Sequence, residues 1–73
     1  MDSSTLHQLW LVVEETQTTQ LLRLSDRDLI QDIIERLDHR KPLTRDEAKV
    51  VSSYLQARTP LIRDIAGARL ACG

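Results

Sequence analysis

The sequence is poor in the residues that build catalytic, metal and phosphate-binding sites. Only two of its 73 residues are glycine, so it has no glycine-rich loop that could cradle a phosphate group. The one cysteine, Cys72, has no second cysteine for an internal disulfide, and the two histidines have no further ligands at metal-binding spacing. We therefore predict a protein that is not an enzyme and has no catalytic residue, cofactor or metal ion.

Aromatic residues and proline are also scarce. The chain has no phenylalanine, one tryptophan, one tyrosine and two prolines, whereas leucine, isoleucine and valine are abundant. This composition is typical of a helical protein rather than of a β-sandwich or a disordered tail. A single domain of this length buries only about 60% of the surface that its unfolded chain exposes. Because such a core is small, the sequence favours a homodimer over a monomer.

Long hydrophobic runs are absent as well. The apolar stretch LWLVV (9–13) is far too short to span a bilayer. The first residues lack the basic region, apolar run and small-residue cleavage site of a secretory signal. A lone cysteine is typical of a reducing compartment. The sequence therefore predicts a cytoplasmic protein with no membrane segment and no membrane partner.

Charge is unevenly distributed, although the net charge is only −1. Residues 1–39 carry three basic and eight acidic side chains, a net charge of −5, and residues 40–73 carry seven basic and three acidic ones, a net charge of +4. A basic half could bind the phosphate groups of a nucleic acid. The two halves could equally contact each other, within one chain or across a dimer, and the sequence favours this second interpretation.

Apolar periodicity and capping residues predict an all-α fold, a small bundle of three to four short antiparallel helices. The predicted helices span residues 4–23, 26–40, 45–58 and 60–70. Ser25 and Thr44 are the predicted N-caps of the second and third helices, and Thr44 forms a T-x-x-E capping box with Glu47. Thr59-Pro60 is interpreted as the start of the fourth helix, with proline in its first position. The alternative is one long helix kinked at Pro60.

Most large aliphatic residues fall on one face of each predicted helix, which we assign to the core. In the second helix this face comprises Leu29, Ile30, Ile33, Ile34 and Leu37. In the third helix it comprises Ala48, Val51, Tyr54 and Leu55, with Val50 and Ala57 at its edges, and in the fourth Leu61, Ile62, Ile65 and Ala66.

Five candidate partner-binding residues lie on the predicted first and second helices. Leu11 and Leu22 lie opposite the main apolar face of the first helix, so this helix is either central to the bundle or contributes to a dimer interface. Asp28, Asp32 and Glu35 form an acidic row on the polar face of the second helix, where they could dock a basic surface. A solvated polar face is the alternative for this row.

Three arginines complete the candidate partner-binding residues. Arg58 and Arg69 lie near the apolar sides of their helices, so we predict that they pair with carboxylates of the acidic half. Arg63 points away from the apolar face and is predicted to be the arginine most available to an outside partner.

The segment LTRDEAKVVSSYLQARTPLIRDIA (43–66) has the outline of a helix-turn-helix, a capped helix followed by a break and a second helix with arginines. Its turn contains no glycine, and Asp64 would lie among the phosphates of a bound nucleic acid. A small nucleic-acid-binding transcriptional regulator that uses the basic C-terminal half is therefore the alternative function. The favoured function is a non-enzymatic protein–protein interaction module, a small cytoplasmic adaptor or regulator.

The segments LHQLWLVVEETQTTQLLRLSDRDLIQDIIERL (6–37) and RKPLTRDEAKVVSSYLQARTPLIRDIA (40–66) resemble short uncharacterised all-helical proteins of cyanobacterial type. The resemblance lies in helix caps and aliphatic spacing and covers most of the chain. It implies a small cytoplasmic accessory protein, and it carries over neither an activity nor site residues.

Overall fold

Four helices connected by short segments make up the fold. A computed structural model describes residues 3–72, with the side chains of residues 3–71. The helices are α1 (Ser3–Glu15), α2 (Thr18–Arg23), α3 (Asp26–Arg40) and α4 (Arg45–Cys72), and no strand occurs among the described residues. The predicted all-α class is confirmed. No helix within residues 3–72 combines the length and the hydrophobicity that crossing a membrane requires.

The core consists of aliphatic side chains from all four helices, and α3 and α4 supply most of them. The buried residues are Leu9, Val12, Val13, Leu21, Leu29, Ile30, Ile33, Leu37, Val51, Leu55, Ile62 and Ala66. The short α2 contributes a single one of them, Leu21, which is fully buried. Because a helix of six residues is too short to be stable alone, α2 depends on these contacts for its structure.

The predicted continuous first helix is wrong, because α1 ends at Glu15 and α2 begins at Thr18. The buried Thr16 hydroxyl donates to the carbonyl of Val12 at 2.7 Å, and its backbone N–H is shared between the carbonyls of Val12 and Val13. Gln17 then adopts an extended conformation, with φ −62° and ψ 140°. Side-chain bonds from threonine to the preceding turn compete with helix propagation, which explains the break in this weakly helical stretch.

The predicted capping residues form their hydrogen bonds. The Thr44 hydroxyl accepts from the backbone N–H of Glu47 at 3.1 Å, and the Glu47 carboxylate accepts from the backbone N–H of Thr44 at 3.2 Å. The Ser25 hydroxyl accepts from the backbone N–H of Asp28 at 3.3 Å. These side chains satisfy backbone donors that the first turns of α4 and α3 leave without helical partners.

The predicted division at Thr59-Pro60 is wrong, because α4 continues through both residues. The Thr59 hydroxyl is buried and donates to the carbonyl of Leu55 at 2.8 Å, so Thr59 is an interior residue of the helix rather than an N-cap. Proline inside a helix costs about 3 kcal/mol. Residues on both sides of Pro60 are buried in the same core, notably Leu55 and Ile62, and each fully buried aliphatic side chain contributes about 1.5–3 kcal/mol. Burial on both sides therefore outweighs the local cost of the proline.

Replacing Gly67 with alanine is expected to raise the free energy of unfolding by about 0.5–1 kcal/mol, because glycine inside a helix is that much less favourable than alanine. Gly67 is an exposed residue of α4, and a Cβ atom added there would meet nothing within 4 Å. Thermal denaturation followed by circular dichroism measures the change. An unchanged or lower stability would contradict a continuous helix at this position.

Candidate interaction surface

Arg63 of α4 connects the end of α2 to the start of α3. Its guanidinium donates to the carbonyl of Leu21 at 2.9 Å, to the carbonyl of Leu24 at 2.8 Å and to the carboxylate of Asp26 at 2.7 Å. A longer contact of 3.4 Å reaches the carbonyl of Leu22. The prediction that Arg63 is the arginine most available to an outside partner is therefore wrong. Carbonyls at the end of a helix have no helical donor, and the planar guanidinium can satisfy several of them at once.

Arg69 makes the equivalent connection to the end of α1. Its guanidinium donates to the carbonyls of Thr16 at 3.1 Å, Glu14 at 3.3 Å and Val13 at 3.4 Å. Arg69 does contact the acidic half of the chain, as predicted, but its acceptors are backbone oxygens at the negative end of the α1 dipole rather than carboxylates. Arg63 and Arg69 thus hold two consecutive helix ends against the same long helix.

Arg58 stacks on an aromatic pair instead of binding an acidic side chain. Its guanidinium lies 4.2 Å from the centroid of the Tyr54 ring. The Tyr54 hydroxyl accepts a hydrogen bond from the indole N–H of Trp10 at 3.2 Å, and the two rings meet edge to face. Within residues 3–71 Arg58 forms no ion pair with a carboxylate, so its predicted partner is also wrong. Its contact with Tyr54 is a cation–π interaction.

The acidic row of α3 faces solvent and does not dock on the basic half. Asp28 and Glu35 are exposed, and Glu35 accepts a hydrogen bond from the Gln31 amide. Asp32 pairs with Arg36 of the same helix at 3.0 Å. The described acidic side chains give no group of three or more with histidine or cysteine that could hold a metal ion.

Two ion pairs nevertheless join the acidic and basic halves of the chain. The guanidinium of Arg40 lies 2.8 Å from the carboxylate of Glu15, and that of Arg63 lies 2.7 Å from the carboxylate of Asp26. The two halves do contact each other, as the charge distribution suggests, although none of the four residues was predicted in these pairs.

The two leucines proposed as interface residues have different exposures. Leu22 of α2 is 39% exposed, and Leu11 of α1 is half-buried. The structure therefore does not bring the eight predicted partner-binding residues together into one continuous surface. The arginines are used inside the chain, and the leucines and acids lie on separate helices.

A different surface is continuous, and it lies on α4. It comprises Val50, Tyr54, Ala57, Leu61, Ile65 and Ala68, which we name the α4 stripe. Their spacing of three and four residues keeps them on one face of the helix over about 27 Å. Val50 is 47% and Leu61 48% exposed, the two alanines are exposed, and the other two residues are half-buried. No position of the stripe is charged.

The sequence interpretation missed this stripe because it ended a helix before Pro60. Leu61 and Ile65 were assigned to the core of a separate fourth helix, and this assignment is wrong for the exposed Leu61. The core-facing residues of α4 are Val51, Leu55, Ile62 and Ala66, each no more than 1% exposed. Apolar spacing that continues through Pro60 in one helical register is the signal that could have revealed the α4 stripe.

No protein-family model, curated protein or solved structure matches the chain. The resemblance to short all-helical proteins of cyanobacterial type stays a prediction. Any functional conclusion therefore depends on the chain's own surface.

Proposed function

We propose that this chain is a non-enzymatic protein–protein interaction module, a small cytoplasmic adaptor or regulator, and that the α4 stripe is its docking face. The proposal depends on one observation, the uncharged apolar stripe that α4 exposes between Val50 and Ala68. A helix face that only meets water is ordinarily polar, whereas contiguous exposed apolar surface marks interaction sites. The small antiparallel bundle and the homodimer predicted from the sequence belong to the same proposal.

The internal use of the basic side chains favours a protein partner over a nucleic acid. Five of the seven basic residues between positions 40 and 73 have partners within the chain: Arg40, Lys41, Arg58, Arg63 and Arg69. Nucleic-acid binding needs several cations that can neutralise phosphates. The two remaining basic residues of this segment, Arg45 and Lys49, are too few to form such a binding surface. Fluorescence anisotropy tests the alternative function. A nucleic-acid-binding regulator would bind labelled duplex or single-stranded oligonucleotides at low salt.

Site-specific photo-crosslinking tests the docking face. A diazirine side chain placed at Leu61, within the α4 stripe, is expected to crosslink to a protein in cells that express the chain natively. The same group placed at Lys49, which is exposed on another face of α4, serves as the matched control and is expected to give little product. Mass spectrometry identifies the crosslinked partner. Equal yields at both positions, or none at either, would reject the α4 stripe as a docking face.

A further inference from the structure

We infer that the partner of the α4 stripe is an amphipathic helix of a different protein, and that a carboxylate at the edge of its apolar face binds Arg58. This inference depends on the proposed function, because it takes the α4 stripe to be a docking face. It assigns the secondary structure of the partner and the charge that the partner presents to one border of the stripe.

The guanidinium of Arg58 is positioned by an aromatic ring, but its N–H groups have no acceptor. Its central carbon lies 4.2 Å from the centroid of the Tyr54 ring, and the hydroxyl of that ring accepts a hydrogen bond from Trp10. Among residues 3–71 no oxygen accepts a hydrogen bond from Arg58. The N–H groups of a guanidinium lie in its plane and point away from its central carbon. Contact with one ring therefore leaves them available to a planar acceptor such as a carboxylate.

This free set of donors distinguishes Arg58 from comparable arginines. Among the described residues three arginines are half-buried, and Arg63 and Arg69 donate to backbone carbonyls. Arg58 adjoins the α4 stripe, since it stacks on Tyr54 and precedes Leu61 by one helical turn. A partner that covers the stripe also removes water from the guanidinium, and a purely apolar partner would leave its charge unpaired. A carboxylate of the partner avoids this cost.

The opposite border of the α4 stripe has the reverse charge. Asp46 and Asp64 lie about five helical turns apart, so they are on the same side of α4. Both are exposed, and neither forms an ion pair with another described residue. A helix with an acidic residue at one edge of its apolar face and basic residues at the other edge would meet opposite charges on both borders.

Backbone hydrogen bonding favours a helical partner over an extended one. The backbone groups of α4 along the stripe are used within the helix, so the stripe offers no free edge to which a strand could be added. An extended segment laid on this apolar face would bury N–H and C=O groups without partners. A helix satisfies its own backbone and can pack its side chains between those of the stripe.

A second copy of the chain does not supply the carboxylate that Arg58 needs. In an antiparallel pair like borders meet, so Arg58 would lie beside Arg58 of the second copy. In a parallel pair opposite borders meet, but the guanidinium lies at the level of Tyr54, where the opposite border has Ser53 instead of a carboxylate. Like charges or an unpaired charge disfavour both arrangements. The charges therefore indicate a different protein, and a homodimer would use another surface of the chain.

Two synthetic helical peptides test the charge of the partner. Both have an apolar face of leucine and alanine with lysine along one edge, and they differ only by glutamate or glutamine at the centre of the other edge. In fluorescence anisotropy the wild-type chain is expected to bind the glutamate peptide about tenfold more tightly, because the carboxylate pairs with the guanidinium. Arg58→Met is expected to remove this preference. Arg45→Met is the matched control and is expected to keep it, since Arg45 is exposed at the start of α4 outside the stripe.

Circular dichroism verifies that both variants fold. Equal affinities of the wild-type chain for the two peptides would overturn the inference, as would binding of neither peptide or a preference that survives Arg58→Met.

Photo-crosslinking from position 61 separates this inference from the proposed function. In a chain with the diazirine at Leu61, Arg58→Met is expected to lower the yield of the crosslinked partner several-fold, whereas Arg45→Met is expected to leave it unchanged. Mass spectrometry of the product is expected to locate the crosslink in an amphipathic segment that contains aspartate or glutamate. A yield that Arg58→Met does not change, or a product that contains only a second copy of the chain, would overturn the inference and leave the docking face intact. Absence of any product would reject both.

Discussion

Replacing Arg63 with methionine is expected to lower the free energy of unfolding by about 2–3 kcal/mol, a large effect for a side chain that is partly accessible to solvent. Methionine keeps the length and the helix propensity of arginine, so the loss reports on the guanidinium. The two short bonds to the carbonyls of Leu21 and Leu24 carry most of the effect, because both are partly buried and charge-assisted. Asp26 contributes less, since its side chain is 71% exposed.

Urea denaturation, followed by the fluorescence of the single tryptophan and by circular dichroism, measures this loss. The matched control is Arg58→Met on the same helix, which removes only the cation–π contact with Tyr54 and is expected to cost about 0.5–1 kcal/mol. Arg63→Lys keeps the charge but not the planar fork, so we expect an intermediate loss. If Arg63→Met costs no more than Arg58→Met, the guanidinium does not hold the end of α2 in place.

Local signals in the sequence were sufficient to predict α3 and the start of α4. Leu29, Ile33 and Leu37 recur at four-residue spacing and all three are fully buried, as the periodicity predicts. Thr44 and Glu47 lie three residues apart and form the predicted reciprocal bonds. In both cases the interacting groups are near neighbours in the chain or share one helix face, so their spacing alone identifies them.

The contacts that position α1 and α2 could not be predicted in the same way. Arg63 and Arg69 bind backbone carbonyls. Because every residue has a carbonyl, the sequence does not show which of them accept these hydrogen bonds. Whether a carbonyl is free depends on where its helix ends, and the break after Glu15 was itself missed. Pro60 posed a different difficulty. The preference of proline for the first position of a helix predicts a new helix at Pro60, whereas burial of residues on both sides of the proline favours one continuous helix. The α4 stripe can be identified only if α4 is treated as one helix.

Replacing Leu21 with alanine is expected to destabilise the fold by about 3–4 kcal/mol, the largest effect that we expect from a single substitution. Leu21 is fully buried and is the one buried residue of α2. Alanine would remove the transfer free energy of the lost atoms and leave a cavity that neighbouring side chains fill only in part. A small domain has a total stability of about 5–10 kcal/mol, so the variant would be close to unfolding at elevated temperature.

Leu22→Ala provides the control, because it makes the same substitution at the adjacent position of the same helix. Leu22 is 39% exposed, so its loss is expected to cost no more than about 1 kcal/mol. Hydrogen exchange should show faster exchange of the α2 amides in Leu21→Ala than in Leu22→Ala, and comparable effects would contradict the packing of α2.

The double substitution Leu21→Ala and Arg63→Met is expected to lower the free energy of unfolding by less than the sum of the two single losses. Once either change releases α2, the other contact has little left to stabilise.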